Sequence, residues 1–540
     1  MKPLCTVSAL MEDAAARHGN APFLHIPATA AAAYSDKAID LTYGEAAAGA
    51  AELRRQYADI GLGLGDRVGL ILDNRAEFFL HWFALNALGV SIVPLNGEAT
   101  PEDLAYIVND SALKLIVALP ERLELAHKVA ALANDAPPVT DHQNLGVVAP
   151  IRMTPPEGEP DGATECALLY TSGSTGRPKG CILSNTYFHL MGDWYRSLGD
   201  LCEIRSGDRL LTPLPLVHMN ALATSTMAMI LTGGCIIQLD RFHPSSWWQT
   251  VAESGATIVH YLGVLPAILL NMPAGPHDRA HKVRFGFGAG INPKHHAAFE
   301  SRFGFPLIEA WSMTEVGGAA AVIASREPRH VGTSCFGKPA DFMEWRLVDD
   351  EGRDVPKGTP GELLVRRAGP DPRFGFFSGY HNRPKDTEEA WAGGWFHTGD
   401  MVREGEDGSL HFVDRKKSII RRSGENISSL EVEAVLSQLP HVKAVGVAPV
   451  PDDIRGEEVF AAIVTDGHRT AAAAEEIVAA ALQSLTYYKA PGYVAFLDAL
   501  PLTASQKLQR GELKVIARRL VEEGAAHDLR HLKSRKRQKA

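Results

Sequence analysis

The sequence predicts an α/β protein with a large N-terminal domain and a small α+β C-terminal domain. In the large domain, two series of apolar runs alternate with helix-length segments, a pattern typical of doubly wound parallel sheets. Beyond residue 332, short apolar runs separated by Gly and Pro predict an additional antiparallel β subdomain. We expect the two domains to span residues 1–416 and 417–525, followed by a basic, flexible tail over residues 526–540.

The first series lies between residues 40 and 130. Its apolar runs predict strands over 67–72, 90–94 and 114–118. A helix is predicted over 77–88, because Phe78, Trp82 and Leu85 recur on one helical face. A Pro-rich stretch over 137–160 then predicts a connecting loop.

The second series and the last unit follow further along the chain. Candidate strands cover 235–239, 257–262, 283–288 and 306–311, and the β subdomain adds 344–348 and 361–365. Near residue 428, Ser-Ser-Leu-Glu is a capping-box signature that predicts the start of a helix. Strands over 444–450, 459–464 and 493–497 and an Ala-rich helix over 471–485 complete the expected C-terminal domain.

Composition excludes several classes of protein. With 54 basic and 64 acidic residues the net charge is -10, which disfavours a nucleic-acid-binding protein. The 6 cysteines form no C-x-x-C pair, so neither a zinc site nor a redox motif is indicated. No basic segment precedes an apolar one at the N-terminus, and no apolar stretch is long enough to cross a membrane. We therefore expect a cytoplasmic protein with reduced thiols and without a membrane span.

A polar, glycine-rich loop over residues 170–180 lies between two short apolar runs that predict a hairpin. The hydroxyls of Thr171, Ser172, Ser174 and Thr175, the glycine N–H groups and Lys179 together offer a site for triphosphate oxygens. The loop does not match the G-x-x-x-x-G-K-[ST] pattern. A flexible linker is disfavoured, since linkers are not usually enclosed by apolar strands.

This loop and four later motifs resemble those of the acyl-adenylate-forming superfamily, which contains acyl-CoA synthetases, carrier-protein adenylation domains and beetle luciferases. Residues 311–315 are similar to its Y-G-x-T-E motif, and residues 394–400 to its G-W-x-x-T-G-D motif. Residues 412–427 and 500–510 resemble its D-R-x-K-x-x-I-x-x-x-G-x-N-I and P-x-T-x-x-G-K-x-x-R motifs. Within this superfamily, the residues of these motifs look most similar to those of the carnitine/crotonobetaine-CoA ligase branch. Gln506 stands where the family usually has Gly.

The resemblance implies a two-step reaction with ATP, Mg²⁺ and coenzyme A. A carboxylate attacks the α-phosphorus of ATP to give acyl-AMP and pyrophosphate, and a thiol then displaces AMP. Lys507 would bridge the carboxylate, the α-phosphate and the ribose. His218 would lie beside the acyl site, Thr314 would hydrogen-bond a phosphate, and Glu315 would be the Mg²⁺ ligand.

The resemblance also assigns binding residues by their position in the motifs. The expected ATP and AMP contacts are Thr171, Ser172, Gly173, Ser174, Thr175, Gly176, Lys179, Gly288, Ala289, Gly290, Glu309, Ala310, Trp311, Ser312, Asp400 and Arg415. The expected acyl pocket contains Met219, Asn220, Tyr261, Val264 and Met313. Ser423, Gly424 and Glu425 are expected on the CoA side, and Lys417 is the expected hinge.

Each fragment alone also has a simpler interpretation. His218 fits a satisfied core histidine. Thr314 and Glu315 fit the first turn of a helix, and Asp400 fits an ordinary turn. The basic residues over 415–422 fit a solvated face. The occurrence of five motifs in family order favours the functional interpretation.

Three functions remain open at this point. We expect an acyl-CoA ligase, with a carrier-protein adenylation enzyme and a non-catalytic nucleotide sensor as alternatives. The expected partners are a small carboxylic acid, ATP and CoA, with a homodimer left open. Because the expected pocket contains no carboxylate, we predict a small neutral or aromatic acid. Trp311 or Tyr261 is then the only expected partner for a trimethylammonium group.

Overall fold

The computed structural model describes residues 5–152, 154, 156, 158–171, 178–422, 425–452, 455–467, 469–502 and 507–533. For residues 264, 417, 421, 425 and 426 it describes the backbone and not the side chain. Within this part of the chain, no helix is both long and apolar enough to cross a membrane.

Helices and strands alternate through most of the chain. The helices are α1 (Val7–His18), α2 (Ala28–Ala31), α3 (Tyr43–Asp59), α4 (Ala76–Asn86), α5 (Pro101–Ser111), α6 (Leu123–Leu132), α7 (Asn185–Arg196), α8 (Thr226–Thr232), α9 (Trp247–Glu253), α10 (Val264–Asn271), α11 (Pro293–Phe303), α12 (Pro384–Ala390), α13 (Ser429–Leu436), α14 (Ala471–Ser484) and α15 (Arg510–Glu522). The strands are β1 (Pro22–Ile26), β2 (Ile39–Thr42), β3 (Arg67–Ile71), β4 (Ser91–Pro94), β5 (Leu115–Ala118), β6 (Val139–Asp141), β7 (Glu165–Thr171), β8 (Lys179–Ser184), β9 (Arg209–Thr212), β10 (Cys235–Gln238), β11 (Ile258–Leu262), β12 (Phe285–Ala289), β13 (Leu307–Trp311), β14 (Val322–Ile323), β15 (Cys335–Gly337), β16 (Met343–Val348), β17 (Gly361–Arg367), β18 (Gly379–Tyr380), β19 (Phe396–Glu404), β20 (Leu410–Arg415), β21 (Ile419–Arg422), β22 (Glu425–Ser428), β23 (Val442–Asp452), β24 (Gly456–Thr465), β25 (Tyr493–Phe496) and β26 (His527–Asp528).

One large sheet has the strand order β14-β13-β12-β11-β9-β10-β1-β2. Neighbours from β13 to β1 run parallel, whereas β14 and β2 pair antiparallel at the two edges. The strands β11 and β12 approach each other so closely that a Cβ on Gly288 would lie 2.3 Å from the carbonyl oxygen of Tyr261. A side chain at residue 288 would clash with β11, so only glycine fits there.

A second sheet has the order β18-β8-β7-β4-β3-β5-β6. The strands β7, β4, β3, β5 and β6 are parallel, and β8 and β18 add antiparallel neighbours. The predicted hairpin around the glycine-rich loop is confirmed, since β7 pairs with β8 and Thr171 lies opposite Lys179. The α/β class and the two wound sheets are likewise as the sequence predicts.

The predicted antiparallel subdomain is a five-stranded sheet with the order β15-β20-β19-β17-β16. Every pairing in it is antiparallel. The register of β19 and β20 sets Asp400 directly opposite Arg415, which brings two predicted binding residues together.

The last unit has its own sheet, β22-β21-β24-β25-β26 with β23 beside β24, and its own hydrophobic core. The main N-terminal core extends to Leu410, and the C-terminal core begins at Ile420. The expected boundary after residue 416 stays a prediction that this separation supports.

The first half of the expected tail is folded rather than flexible. Strand β26 pairs with β25, and Leu529 is buried in the C-terminal core. Lys533 donates a hydrogen bond to Glu458 Oε1, and Arg422 Nε donates to Glu458 Oε2 over 2.8 Å. The Glu458 carboxylate is fully buried and lies between these two cations. Lys533 thus has a partner that composition alone did not indicate. Residues 534–540 lie outside the described part of the chain.

Candidate active site

The carboxyl ends of four adjacent parallel strands, β9, β11, β12 and β13, meet at one edge of the eight-stranded sheet. Strand β13 ends at Trp311, β12 at Ala289 and β11 at Leu262, while the chain beyond β9 leads to His218. Ligands of open α/β sheets bind beyond such strand ends. The fold therefore gathers residues that are up to about a hundred positions apart in the sequence.

Glu309 organises the loops at this edge. Its carboxylate accepts hydrogen bonds from the backbone N–H groups of Gly290 and Ile291, at 3.0 and 2.8 Å, and from the Tyr261 hydroxyl at 3.1 Å. Burial raises the pKa of Glu309, and these donors oppose the increase. Glu309 thus supports Gly290 and Tyr261 from inside the protein. Its neighbour Ala310 pairs with β14.

Trp311 and Asp400 form the centre of the expected ribose site. The Trp311 indole Nε1 donates to Asp400 Oδ2 over 2.8 Å, and the ring lies at 6.0 Å from that of Phe336. Arg415 Nε lies 2.7 Å from the other oxygen, Oδ1, as an ion pair. Among the described residues, buried Oδ1 accepts no well-aligned hydrogen bond. The carboxylate therefore retains acceptor capacity, as a carboxylate that binds a diol requires.

The electrostatics of Asp400 follow from the same contacts. Burial raises the pKa of Asp400, while the charge of Arg415 and the hydrogen bond from Trp311 lower it. Arg415 and Trp311 thus favour the ionised form of Asp400 against the effect of burial, and a pair of hydroxyl donors would favour it further.

Glu315 lies on the turn that follows β13. It is buried, and its Oε1 accepts a hydrogen bond of 2.9 Å from the Tyr380 hydroxyl. The described residues contain no group of three or more His, Cys, Asp or Glu side chains that could hold a metal ion. A single carboxylate fits Mg²⁺ nonetheless, because this ion is usually bound by one or two carboxylates together with phosphate oxygens and water.

The neighbours of Glu315 on the turn are two further predicted site residues. Ser312 Oγ donates to the Gly317 carbonyl over 2.9 Å, which stabilises the turn. Thr314 lies between Met313 and Glu315 in the sequence and is partly buried.

Lys179 begins strand β8, where the glycine-rich loop returns to the sheet. Its Nζ forms an ion pair of 2.7 Å with Asp386 on α12 and lies 5.0 Å from the centre of the Tyr380 ring. Thr171 lies opposite it at the end of β7. The expected phosphate contacts at Ser172, Gly173, Ser174, Thr175 and Gly176 lie outside the described residues.

His218 and Lys507 come together although they belong to different units of the chain. His218 is exposed, yet desolvation by the surrounding protein lowers its pKa to about 4, and the charge of Lys507 acts in the same direction. Burial lowers the pKa of Lys507, and the charge of Arg415 lowers it further. Lys507 therefore lies within electrostatic reach of both His218 and Arg415.

The segment between the two units is held by polar contacts. The Ser428 and Ser429 hydroxyls donate to Asp414 Oδ2 over 2.9 and 3.0 Å, and Leu430 N–H donates to the same oxygen over 3.2 Å. Lys416 Nζ donates to Glu362 over 2.6 Å. The expected hinge, Lys417, lies in this segment with its side chain outside the described part. Of the expected CoA-side residues, Ser423 and Gly424 are not described, and Glu425 is described as backbone only.

The expected acyl pocket lies beside His218. Met219 and Met313 pack against the main core, and Val264, described as backbone only, begins α10. Asn220 begins a π-helical segment, Asn220–Ser225, a conformation that is frequent at functional sites. Its side chain reaches the buried His260 at the centre of β11.

Four residues beside the site were not anticipated by the sequence reasoning. They are Asp414, His260, Tyr380 and Asp386, which contact predicted site residues from other elements. Asp414 belongs to the motif over residues 412–427, which is a sequence signal for its role. The other three carry no local pattern, because their roles depend on contacts with distant segments.

Profiles of two protein families match the chain. The profile described as AMP-binding enzyme matches residues 11–381, and the profile described as AMP-binding enzyme C-terminal domain matches residues 431–507. The first match covers well over half of the chain.

Curated relatives extend the similarity over most of the sequence. The crotonobetaine/carnitine–CoA ligase of Citrobacter koseri is 30% identical over 472 residues, which cover 84% of this chain and 89% of the relative. The sulfoacetate–CoA ligase of Cupriavidus necator is 31% identical over 521 residues, which cover 94% and 97%.

Solved structures share the fold. An anthranilate CoA ligase in complex with anthranoyl-AMP superposes with a TM-score of 0.82 at 21% identity, covering 96% of this chain and 99% of the other. The o-succinylbenzoate CoA synthetase of Bacillus subtilis, in complex with its acyl-adenylate intermediate, has a TM-score of 0.80 at 24% identity, with 95% and 98% covered. From the profile matches and the extent of the curated similarity, this chain belongs to the AMP-binding enzyme family.

Proposed function

We propose that the protein is an ATP-dependent acid–CoA ligase, which activates a carboxylic acid as acyl-AMP with release of pyrophosphate and then transfers the acyl group to CoA. The observation that carries the proposal is the buried Asp400 carboxylate with Trp311 on one oxygen and Arg415 on the other. The curated relatives above are named CoA ligases, and two of the similar structures contain acyl-adenylates.

In the first step, the carboxylate of the acid must approach the α-phosphate of ATP, and both groups are anions. Catalysis then depends mainly on positioning and on neutralisation of charge. The charge of Lys507 acts on His218, and that of Arg415 acts on Lys507, so these two cations would lie where the acyl and ribose sites meet. Lys179 begins β8, directly after the glycine-rich loop, and would contact the phosphates. Bound at Glu315, Mg²⁺ would supply further positive charge to the phosphates.

Asp400 would accept hydrogen bonds from both ribose hydroxyls. Trp311 donates to Oδ2, whereas Oδ1 accepts no well-aligned hydrogen bond from the described residues. Oδ1 therefore retains acceptor capacity for the ribose hydroxyls. Arg415 would keep this carboxylate ionised and contact the ribose or α-phosphate. The Trp311 ring offers a face for adenine at the end of β13.

His218 fits a role beside the acid. With a pKa of about 4 the imidazole is neutral near pH 7, so it can orient a carboxylate by one hydrogen bond without binding it as an ion pair. This leaves the acid free to be contacted by Lys507.

In the second step, the C-terminal unit would turn about Lys417 so that the CoA-side residues around 423–425 replace Lys507. The contacts of Asp414 with Ser428 and Ser429 span the segment that would have to change. We propose that these contacts belong to the adenylate-forming orientation.

A small neutral or aromatic acid suits the expected pocket. Glu309 is close to Tyr261, but its carboxylate already accepts three hydrogen bonds and is buried. It is therefore a poor partner for a trimethylammonium group. The neutral His218 likewise offers no permanent positive charge for a second anionic group.

The test uses the purified chain with MgATP and a panel of short aliphatic, hydroxylated, aromatic and betaine-type acids. Pyrophosphate release is measured with and without CoA, and the thioester is identified by mass spectrometry. With a suitable acid and CoA, we expect catalytic pyrophosphate release together with the thioester. Without CoA, we expect no thioester. Acyl-AMP formation without thioester would favour a carrier-protein enzyme, and no pyrophosphate release with any acid would contradict the proposal.

A further inference from the structure

We propose that Asn220 donates a hydrogen bond to the acid, that the buried His260 fixes the direction of this donor, and that the acid therefore carries a neutral oxygen acceptor in addition to its carboxylate. This inference rests on the proposed function and specifies its substrate class.

The first observation is a buried chain of polar groups under the expected acyl pocket. His260 is fully buried on β11, and its ring lies against Tyr195 and Phe287 at centroid distances of 5.6 and 4.7 Å. Its Nε2 lies 3.0 Å from the Tyr195 hydroxyl, and its Nδ1 lies 2.9 Å from both Ser225 Oγ and Asn220 Oδ1. An imidazole is thus held between α7 and the π-helical segment.

The second observation is the pattern of hydrogens that follows from the orientation of the Asn220 amide, whose Oδ1 faces His260. Ser225 Oγ donates to the backbone carbonyl oxygen of Asn220 over 3.1 Å. Toward His260 the Ser225 hydroxyl therefore acts as an acceptor. His260 Nδ1 then carries the proton and donates to Ser225 and Asn220, while the Tyr195 hydroxyl donates to Nε2. With the opposite tautomer, Nδ1 and Asn220 Oδ1 would be two acceptors facing each other.

Burial lowers the pKa of His260 to about 3, which agrees with a neutral ring that has one donor and one acceptor. The Tyr195 hydroxyl, which can donate or accept, donates to Nε2 of this tautomer, and the Nδ1 N–H holds the Asn220 amide with its oxygen toward the histidine.

The consequence concerns the other end of the amide. With Oδ1 bound to His260, Nδ2 is the end that remains for the pocket. Asn220 is partly exposed and lies two residues from His218, and no described residue accepts a hydrogen bond from its Nδ2. The neutral amide therefore has two N–H donors left for a ligand, close in the chain to His218, which we propose lies beside the carboxylate of the acid.

An uncharged donor in the expected pocket, which also contains Met219 and Met313, matches an uncharged acceptor. A hydroxyl, carbonyl or ether oxygen on a short acid has this chemistry, whereas a trimethylammonium group has no acceptor. An acid without such an oxygen would leave the amide unpaired on closure of the site, which costs affinity.

The experiment compares pairs of short acids that differ only by a hydroxyl or carbonyl oxygen at C2, C3 or C4. We expect at least one oxygenated acid to exceed its matched partner about tenfold in kcat/KM, the factor that one ordinary hydrogen bond provides. Asn220→Ala should remove this preference, so that kcat/KM for the oxygenated acid falls about tenfold relative to kcat/KM for its unsubstituted partner. A wild-type enzyme that turns over acids without any such preference would overturn the inference, whereas no turnover of any acid would instead contradict the proposed function.

Tyr195→Phe tests the positioning role of the buried chain without changing its shape. It removes the hydroxyl that donates to His260 Nε2 and helps to hold the Nδ1–H tautomer, so the preference should fall several-fold with little effect on the unsubstituted acid. Tyr57→Phe is the matched control, since Tyr57 is also fully buried and its hydroxyl lies 2.5 Å from a histidine, His81, between α3 and α4. Equal loss of preference in both variants, or in neither, would overturn the role of His260.

Discussion

Trp311 Nε1 donates a hydrogen bond of 2.8 Å to Asp400 Oδ2, which joins the end of a parallel strand to the antiparallel subdomain. An aromatic residue that was expected to stack on adenine thus also orients the carboxylate expected to bind the ribose. The larger indole in place of the usual phenol provides a donor that cannot act as an acceptor. Its orientation toward Asp400 is therefore unambiguous.

We expect Trp311→Phe to raise the KM for ATP about tenfold, with a smaller effect on kcat, because a hydrogen bond to a buried carboxylate is lost while an aromatic face remains. Steady-state kinetics at saturating acid measure both constants. Trp247→Phe is the control, as Trp247 is buried on α9 and its Nε1 has no hydrogen-bond partner among the described residues. An unchanged KM in Trp311→Phe would contradict the role of this hydrogen bond.

Lys507→Ala should reduce acyl-AMP formation about a hundredfold or more, because its charge lies beside His218 in the orientation described. The thioester-forming step from preformed acyl-AMP should remain nearly unaffected. Both half-reactions are followed separately, by pyrophosphate release and by thioester formation. Lys514→Ala, on α15 of the same unit, should alter neither step, and equal losses in both half-reactions of Lys507→Ala would argue against domain alternation.

Glu315→Gln should increase the Mg²⁺ concentration needed for half-maximal turnover, since the amide retains the size of the side chain but not the charge that a hard cation requires. ATP affinity at saturating Mg²⁺ should change less. The measurement is a Mg²⁺ titration of turnover, with the exposed Glu389→Gln on α12 as the control. Identical titrations for wild type and Glu315→Gln would exclude this carboxylate as a metal ligand.

The pH dependence of stability should include a contribution from Glu300. Burial alone would raise its pKa, but hydrogen bonds from His296 and Arg329 lower the pKa to about 2. Because the folded-state pKa lies below the ordinary value of 4.5, the stabilisation is complete above pH 4.5 and is lost as the pH falls toward 2. Denaturant unfolding of wild type and Glu300→Gln between pH 5 and pH 3 checks this. The variant should be less stable at pH 5, and the difference should shrink with acidification; a difference that stays constant would refute the assignment.

The sequence by itself determined the fold class and the order of the functional segments. The alternation of apolar runs and helix-length segments predicted two wound sheets, and apolar runs on both sides of the glycine-rich loop predicted the β7–β8 hairpin. These features depend on local periodicity and on the conformational needs of Gly and Pro, which neighbouring residues alone express. The motif residues Trp311, Asp400 and Arg415 were identified by the resemblance of their segments to motifs of the acyl-adenylate-forming superfamily.

Only the tertiary structure decided which side chains meet. It gave Asp400 its donor from Trp311, assigned Glu309 to the support of Tyr261 and Gly290, and placed His260 under Asn220. It also attached Lys533 to Glu458 within the expected tail. Each of these contacts joins residues far apart in the chain, and a polar group is buried only where such a partner compensates the loss of water. That compensation depends on how strands and helices pack, and no local pattern of residues encodes it.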